Sequence, residues 1–191
     1  YYKINHIENK LIAMIIGPKD TPYEGGFYFF DIYLPERYPF KPPVVKFLTT
    51  DGKSRMNPNL YTNGKVCLSI LGTWTGPSWT TCMNITTVLL ALVTVLNENP
   101  IQNEPGHEND KLEWPCVKDY NQFLIHENIR LAVILNFKSI NNPACNVYLP
   151  FFFEPLKKHI SENIHFYMDK VKEIGGYNTI IKARIYNCIH A

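Results

Sequence analysis

Charge of either sign in excess is what this sequence has least of. Its 19 Lys and Arg against 17 Asp and Glu leave a formal net charge of +2. That is too little to hold nucleic acid or an anionic membrane by electrostatics, so neither is expected as a partner. Long apolar runs are missing as well. The longest, residues 88–96, includes Thr94 and falls far short of the ~20 residues of a membrane helix. The five cysteines, Cys67, Cys82, Cys116, Cys145 and Cys188, form no CxxC pair and no zinc-ligand spacing with the histidines. Neither a metal site nor a disulfide framework is expected from them. Their odd number and scatter suit free thiols in a reducing compartment, hence the cytoplasm, with the nucleus as the second choice. No signal-peptide pattern stands at the start, and no internal repeat or low-complexity tract follows. The first residue is Tyr1 rather than Met, which reads as a fragment or a processed chain.

What is present is enough apolar material for one sizeable core. The chain has 191 residues, 46% of them hydrophobic, which suits one domain with an extension. Residues 11–16 are a continuous apolar run, the length of a buried strand. A dense turn signal, Gly17-Pro18 with Thr21-Pro22-Tyr23-Glu24-Gly25-Gly26, separates it from the aromatic run 27–34. There Tyr28, Phe30, Ile32 and Leu34 share one face and Asp31 lies on the other, so one face is expected to be drier. Tyr38-Pro39-Phe40-Lys41-Pro42-Pro43 breaks the chain before a third strand, 44–48. Links this short require an antiparallel meander.

Helical periods take over later. Ile85, Val88, Leu89, Leu92, Val95 and Leu96 place a buried helix over 84–96. A polar loop covers 97–108. Pro115 opens a further helix, with Tyr120, Phe123, Leu124, Leu131, Ile134 and Leu135 near one face and Glu127 interrupting it. Asn141-Asn142-Pro143 is a linker, which divides the chain into a core, 1–140, and a helical extension, 141–191. In the extension Leu156, Ile160, Ile164, Tyr167, Val171 and Ile174 form an apolar stripe that starts near Pro155 and stops at Gly175-Gly176. The stripe is expected to dock on the core, the alternative being a partner-binding element. Ile180, Ile181, Ile185 and Ile189 suggest a last short helix.

Between the strands and the helices lies the stretch with chemistry in it. Asn57-Pro58-Asn59-Leu60-Tyr61-Thr62-Asn63-Gly64-Lys65-Val66-Cys67 is irregular, carries a thiol eight positions after Asn59, and runs into the apolar Leu68, Ile70 and Leu71. It is expected to deliver Cys67 to the surface and anchor itself in the core. A lone cysteine is ordinarily a small buried hydrophobe, and Asn59 alone could be a turn residue bonding its own backbone.

The turn before the second strand, the Tyr-Pro-Phe-Lys-Pro-Pro segment, Pro58-Asn59 with Gly64-Lys65-Val66-Cys67-Leu68, and a tryptophan loop, in this order and spacing, resemble the ubiquitin-conjugating enzymes over residues 12–135. Leu71-Gly72-Thr73-Trp74-Thr75-Gly76-Pro77, Asn103-Glu104-Pro105-Gly106 and the tail with Glu154-Pro155-Leu156 resemble the large Z-type branch of that family. The resemblance implies an α+β fold, a four-stranded antiparallel meander with packed helices and a C-terminal helical extension. The family's basic first helix, which helps dock the activating enzyme, is absent before Tyr1. The implied activity is to accept ubiquitin or a ubiquitin-like modifier from an ATP-consuming activating enzyme as a cysteine thioester. The modifier then passes to a lysine of a substrate protein, usually with a ubiquitin ligase.

No cofactor is implied. By position the resemblance makes Cys67 the thioester cysteine. It implies that Asn59 stabilises the oxyanion or holds the loop and that Glu104 guards the incoming lysine. It also implies that Phe40 and Trp79 face the ligase. Glu104 in a solvated loop and Phe40 between prolines also have plain structural readings. His107 and His126 suit surface or structural roles. Asn57 stands where most of the family has histidine, which bears on how rigidly the loop is held. Thr80-Thr81-Cys82 replaces the usual Ser-Pro-Ala after the tryptophan. A binding module of the same fold without catalysis and an unrelated thiol hydrolase are the other readings. The last needs a histidine base within reach of Cys67.

Overall fold

The computed structural model describes residues 2–5, 9–136 and 149–173. Four strands, β1 (Tyr2–Asn5), β2 (Lys10–Ile16), β3 (Phe27–Tyr33) and β4 (Val44–Phe47), pair antiparallel in the order β1-β2-β3-β4. The central register sets Ala13 opposite Phe30 and Phe30 opposite Phe47. Successive residues of a strand point to opposite faces, so this register sorts the apolar side chains into two layers. Leu11, Ala13, Ile15, Tyr28, Phe30, Ile32, Val45 and Phe47 pack with Val88, Leu92 and Val95 of helix α1 (Ile85–Val95). On the other face Ile12, Met14, Phe27 and Phe29 meet Ile129, Val133 and Ile134, together with Phe152, Leu156, Ile160, Tyr167 and Val171.

The expectation of one drier face on β3 is therefore corrected. Phe27 and Phe29 are 0% and 2% exposed, as deeply placed as Tyr28 and Phe30. Full burial of such a side chain is worth about 1.5–3 kcal/mol, so both faces contribute to the stability of the sheet.

Helix α1 begins with a reciprocal cap. The Thr87 amide donates to Asn84 Oδ1 at 3.2 Å and the Asn84 amide to Thr87 Oγ1 at 3.3 Å. Helix α2 (Pro115–Glu127) opens on Pro115, where a missing N–H is harmless. It passes directly into a π-helical segment, Asn128–Leu135. The wider turn rotates side chains off the 3.6-residue stripe. Leu124, Leu131 and Ile134 are buried, but Phe123 and Leu135 are 44% and 38% exposed, contrary to the single face drawn from the sequence.

Two buried asparagines tie the π segment to β3 and the turn before it. Asn128 accepts from Tyr28 Oη at 2.6 Å and donates to the Glu24 carbonyl at 2.9 Å. Asn136 donates to the Phe27 carbonyl at 2.8 Å. Gly26 permits the first contact, because a Cβ there would lie 1.9 Å from Asn128 Oδ1.

The apolar stripe of the tail belongs to two helices rather than one. Helix α3 (Phe153–Glu162) ends at Asn163, and α4 (Ile164–Glu173) follows. Leu156, Ile160, Tyr167 and Val171 face the sheet, and Tyr167 Oη donates to the Gly25 carbonyl at 2.6 Å. The expected linker, the Gly175-Gly176 stop and the helix over 180–189 lie outside the described residues. No helix among the described residues is long and apolar enough to cross a membrane.

Glu127, the charge that interrupts the apolar face of α2, is only 5% exposed and is matched. Arg130 reaches it at 2.5 Å, Asp51 at 2.6 Å and Ser54 Oγ at 3.0 Å, fastening the loop after β4 to the helix. Burial alone would raise the Asp51 carboxyl, but the Ser54 and Lys53 amides and Arg130 override it and hold it at about 2. Its unfolded value is ~3.9. This stabilisation is complete above the unfolded value and lost as pH falls through the folded one, between about pH 4 and pH 2. Arg130→Met should lower stability near pH 6 by about 2 kcal/mol, because it leaves Glu127 buried without its cation. It should also shrink the acid-dependent loss. Chemical denaturation at pH 6 and pH 3 measures both, and an unchanged pH 6 stability would contradict the role given to Arg130.

Candidate active site

The loop that carries Cys67 is held by hydrogen bonds at every bend. The Cys67 amide donates to the Asn59 carbonyl at 2.9 Å, and Asn59 Nδ2 donates back to the Cys67 carbonyl at 2.7 Å. Leu60 and Val66 form an antiparallel bridge inside this pair. The turn between them is closed by the Gly64 amide on the Tyr61 carbonyl at 2.9 Å and by the Tyr61 amide on the Lys65 carbonyl at 2.9 Å. It leans on β4, where the Phe47 amide donates to the Gly64 carbonyl at 2.8 Å. Gly64 has φ +88°, and a Cβ there would sit 2.9 Å from the Phe47 carbonyl oxygen, so only glycine fits. After the cysteine, Thr73 Oγ1 accepts from the Leu68 amide at 3.0 Å and donates to the Val66 carbonyl at 2.7 Å. Leu68 and Leu71 are buried in the core.

Asn57 fastens the whole arrangement to the fold. It is completely buried. Its Oδ1 accepts from the Asn59 amide at 2.8 Å, and its Nδ2 donates to Tyr23 Oη and to the Val95 carbonyl, both at 2.7 Å. These bonds reach the β2–β3 turn and the last turn of α1. The Tyr23 phenol is pushed well above its ordinary range, mainly by burial, and stays protonated. The rigidity that the sequence left open is settled by these three bonds, through which the residue in the histidine position holds the loop to the fold. The side chain bonded to nearby backbone is that of Asn57, whereas Asn59 reaches across to the cysteine carbonyl.

The expected delivery of the thiol to the surface is also corrected, because Cys67 is 1% exposed. Asn59 is 9% exposed, and its Oδ1 has no hydrogen-bond partner among the described residues. Cys82 and Cys116 are the exposed thiols among the described residues.

Glu104 sits apart from this pair. It closes a short 3₁₀ turn, Pro100–Asn103, and pairs with Arg55 Nη2 at 3.0 Å. The same nitrogen donates to the Pro58 carbonyl at 2.5 Å, and the guanidinium lies 4.3 Å from the centre of the Tyr61 ring. Arg55, Pro58, Ile101, Glu104, His107 and Tyr120 line an open cleft of about 210 Å³. Burial is the main cause that pushes the Tyr120 phenol up to about 12, so it remains neutral. The structure brings Glu104 to Pro58, next in the chain to Asn59, but neither Asn59 nor Cys67 lines the cleft.

Phe40 and Trp79 are brought into one patch. Trp79 Nε1 donates to the Pro39 carbonyl at 2.7 Å, with the Tyr38 ring 6.1 Å away, and Phe40 stands 73% exposed beside them in the chain. Simple packing does not account for Phe40.

The imidazoles of His107 and His126 lie against Asp110 at 2.7 Å and Glu127 at 3.0 Å, and that of His159 against the rings of Phe27 and Tyr167. No group of three His, Cys, Asp or Glu among the described residues comes together to hold a metal. Sequence reasoning missed Arg55, Thr73 and the part of Tyr23 in the site. Arg55 is only four positions before Asn59, but its partner Glu104 is 49 positions away, and no local pattern encodes that pairing.

The family model for ubiquitin-conjugating enzyme matches residues 3–123. The chain is 50% identical over 129 residues to ubiquitin-conjugating enzyme E2 Z of Xenopus tropicalis, covering 67% of this chain and 41% of that protein. It is 51% identical over 125 residues to E2 Z of Homo sapiens, covering 65% and 35%. To the human dual E2 ubiquitin-conjugating enzyme/E3 ubiquitin-protein ligase BIRC6 it is 37% identical over 170 residues, covering 84% of this chain and 3% of that one. Among solved structures, the E2 domain of a ubiquitin-conjugating enzyme from Toxoplasma gondii superposes with a TM-score of 0.54 at 29% identity, covering 69% of this chain and 86% of that one. The chain spans about two fifths of the length of the E2 Z proteins it matches.

The burial pattern predicts an order of thiol reactivity. Under native conditions iodoacetamide should label Cys82 and Cys116 first and Cys67 at least about tenfold more slowly, since alkylation requires an accessible thiolate. Peptide mass spectrometry over a time course reads the order. Labelling of Cys67 as fast as Cys82 would contradict the burial.

Proposed function

The chain belongs to the ubiquitin-conjugating enzyme family, and from that premise we propose that it carries ubiquitin or a ubiquitin-like modifier as a thioester on Cys67 and passes it to a substrate lysine with the help of a ligase. The reciprocal bonding of Asn59 and Cys67 carries this reading. It ties the one thiol at the family's position to an amide side chain within a preorganised loop.

In the loading step the Cys67 thiolate attacks the modifier's carboxyl-terminal carbonyl, held as a thioester on the activating enzyme. A new C–S bond forms and the activating enzyme's thiolate leaves. In the transfer step a neutral lysine amine attacks, a C–N bond forms, and Cys67 departs as thiolate. The amine's surplus proton goes to Glu104 or to water. Each tetrahedral intermediate carries negative charge on oxygen. An amide nitrogen has two hydrogens, and Asn59 uses one on the Cys67 carbonyl. The other is the donor left for the oxyanion. The buried sulfur must be uncovered for loading, which fits a reaction triggered by a docked partner. Phe40 and Trp79 offer the exposed patch for a ligase. Reducing conditions suit the thiols, so the cytoplasm or nucleus is the compartment proposed. The boundary near residue 140, between a conjugating core and a helical extension packed on it, belongs to the same proposal.

Burial of Cys67 favours one second reading, a module of this fold that binds modifier or ligase without turnover. The thiol hydrolase loses support, because three of the imidazoles among the described residues, those of His107, His126 and His159, are engaged elsewhere.

Full-length protein incubated with activating enzyme, modifier and ATP should form a reductant-sensitive adduct. The adduct should vanish in Cys67→Ala and become reductant-resistant in Cys67→Ser. Its absence, with binding retained, would select the module instead. Asn59→Ala should still charge but discharge to lysine about 10²-fold more slowly, as expected for loss of one oxyanion donor. Equal discharge would remove Asn59 from the chemistry.

A further inference from the structure

We propose that Arg55 is the positioning residue of the lysine-transfer step, acting through Glu104. The inference rests on the proposed function above and adds a residue to it. One guanidinium nitrogen of Arg55 is shared by the Pro58 carbonyl at 2.5 Å and the Glu104 carboxylate at 3.0 Å. The face of the group stacks on Tyr61, its carbon 4.3 Å from the ring centre. Arg55 thus links the residue before Asn59 to the acidic residue at the mouth of the cleft. A planar, permanently charged fork is suited to this, and a lysine cannot reproduce both contacts.

The charge of Arg55 matters as much as its reach. A substrate lysine is reactive only as the neutral amine, and its reference pKa is ~10.4. A bare carboxylate beside it stabilises the ammonium and works against the reaction. With Arg55 paired to it, Glu104 attracts the side chain without holding it in the charged state. The groups facing this pair are His107, hydrogen-bonded to Asp110, the neutral phenol of Tyr120, and the Tyr61 ring, which also has Lys65 5.6 Å above it. Among the described residues the cation against Glu104 is Arg55.

The test uses full-length protein, charged first and isolated as the thioester, with free lysine as acceptor in single-turnover discharge over a range of pH. Failure to form the thioester reports on the proposed function; the discharge profile reports on Arg55. Arg55→Ala should slow discharge at pH 7.5 about tenfold and move the half-maximal rate to higher pH. Arg55→Lys should restore most of the pH profile but not the full rate. Arg55→Ala combined with Glu104→Gln should show no alkaline shift and discharge no more slowly than Glu104→Gln alone. An unshifted profile in Arg55→Ala, or losses that simply add in the double variant, would overturn the proposal. A role limited to holding the loop would not move the profile.

Discussion

The arrangement around Cys67 depends on one buried amide. Asn57 is sealed from solvent, so each of its polar atoms needs a partner inside the protein. It finds them on three separate pieces of chain: the Asn59 amide, the Tyr23 hydroxyl and the Val95 carbonyl. Leaving such groups unmatched costs about 1–3 kcal/mol each, so the loop, the β2–β3 turn and the end of α1 are constrained together. The sheet supplies the floor on which this happens, and the capped α1 supplies the wall.

The chemistry inherits that constraint in two steps. Asn57 fixes the Asn59 backbone, and Asn59 fixes Cys67 through bonds in both directions. On the far side Arg55 bonds both the Pro58 carbonyl and the Glu104 carboxylate. The thiol and the carboxylate are therefore set by neighbouring residues of a single loop, although they face different surroundings. One is buried, and the other borders an open cleft. The proposed thioester on an uncovered sulfur, and the proposed approach of a lysine beside the Arg55-paired carboxylate, both build on that separation.

Much of the fold was legible because it is written in local periods. The runs in β2, β3 and β4 and the stripe of α1 needed only alternation and helical spacing. The motif residues placed the loop. What stayed hidden was everything that depends on distant partners or on a change of period. Phe27 and Phe29 looked like an outer face, because the cover over them comes from residues a hundred or more positions away. Leu135 leaves the face drawn from the sequence because the π segment departs from 3.6 residues per turn, whereas Phe123, in the regular part of α2, is simply exposed. The tail's stripe continued smoothly across Asn163, where the helix does not. Asn57 left the rigidity of the loop open, since neither Tyr23 nor Val95 is near it in sequence. Cys67 looked exposed because a reactive thiol is expected to be, and burial is set by packing that motif spacing does not record.

Amide hydrogen exchange tests most directly whether Asn57 holds the Cys67 loop to the fold. The amides of Asn59 and Cys67 should be protected about as well as the β2–β3 ladder, because their acceptors belong to the same buried network. Asn57→Asp keeps the acceptor for the Asn59 amide but loses both donor contacts, so it should strip protection from these two amides while the ladder keeps its own. If they instead exchange in the native protein as fast as an exposed amide such as that of Ser78, the loop is not held by Asn57 and the account fails.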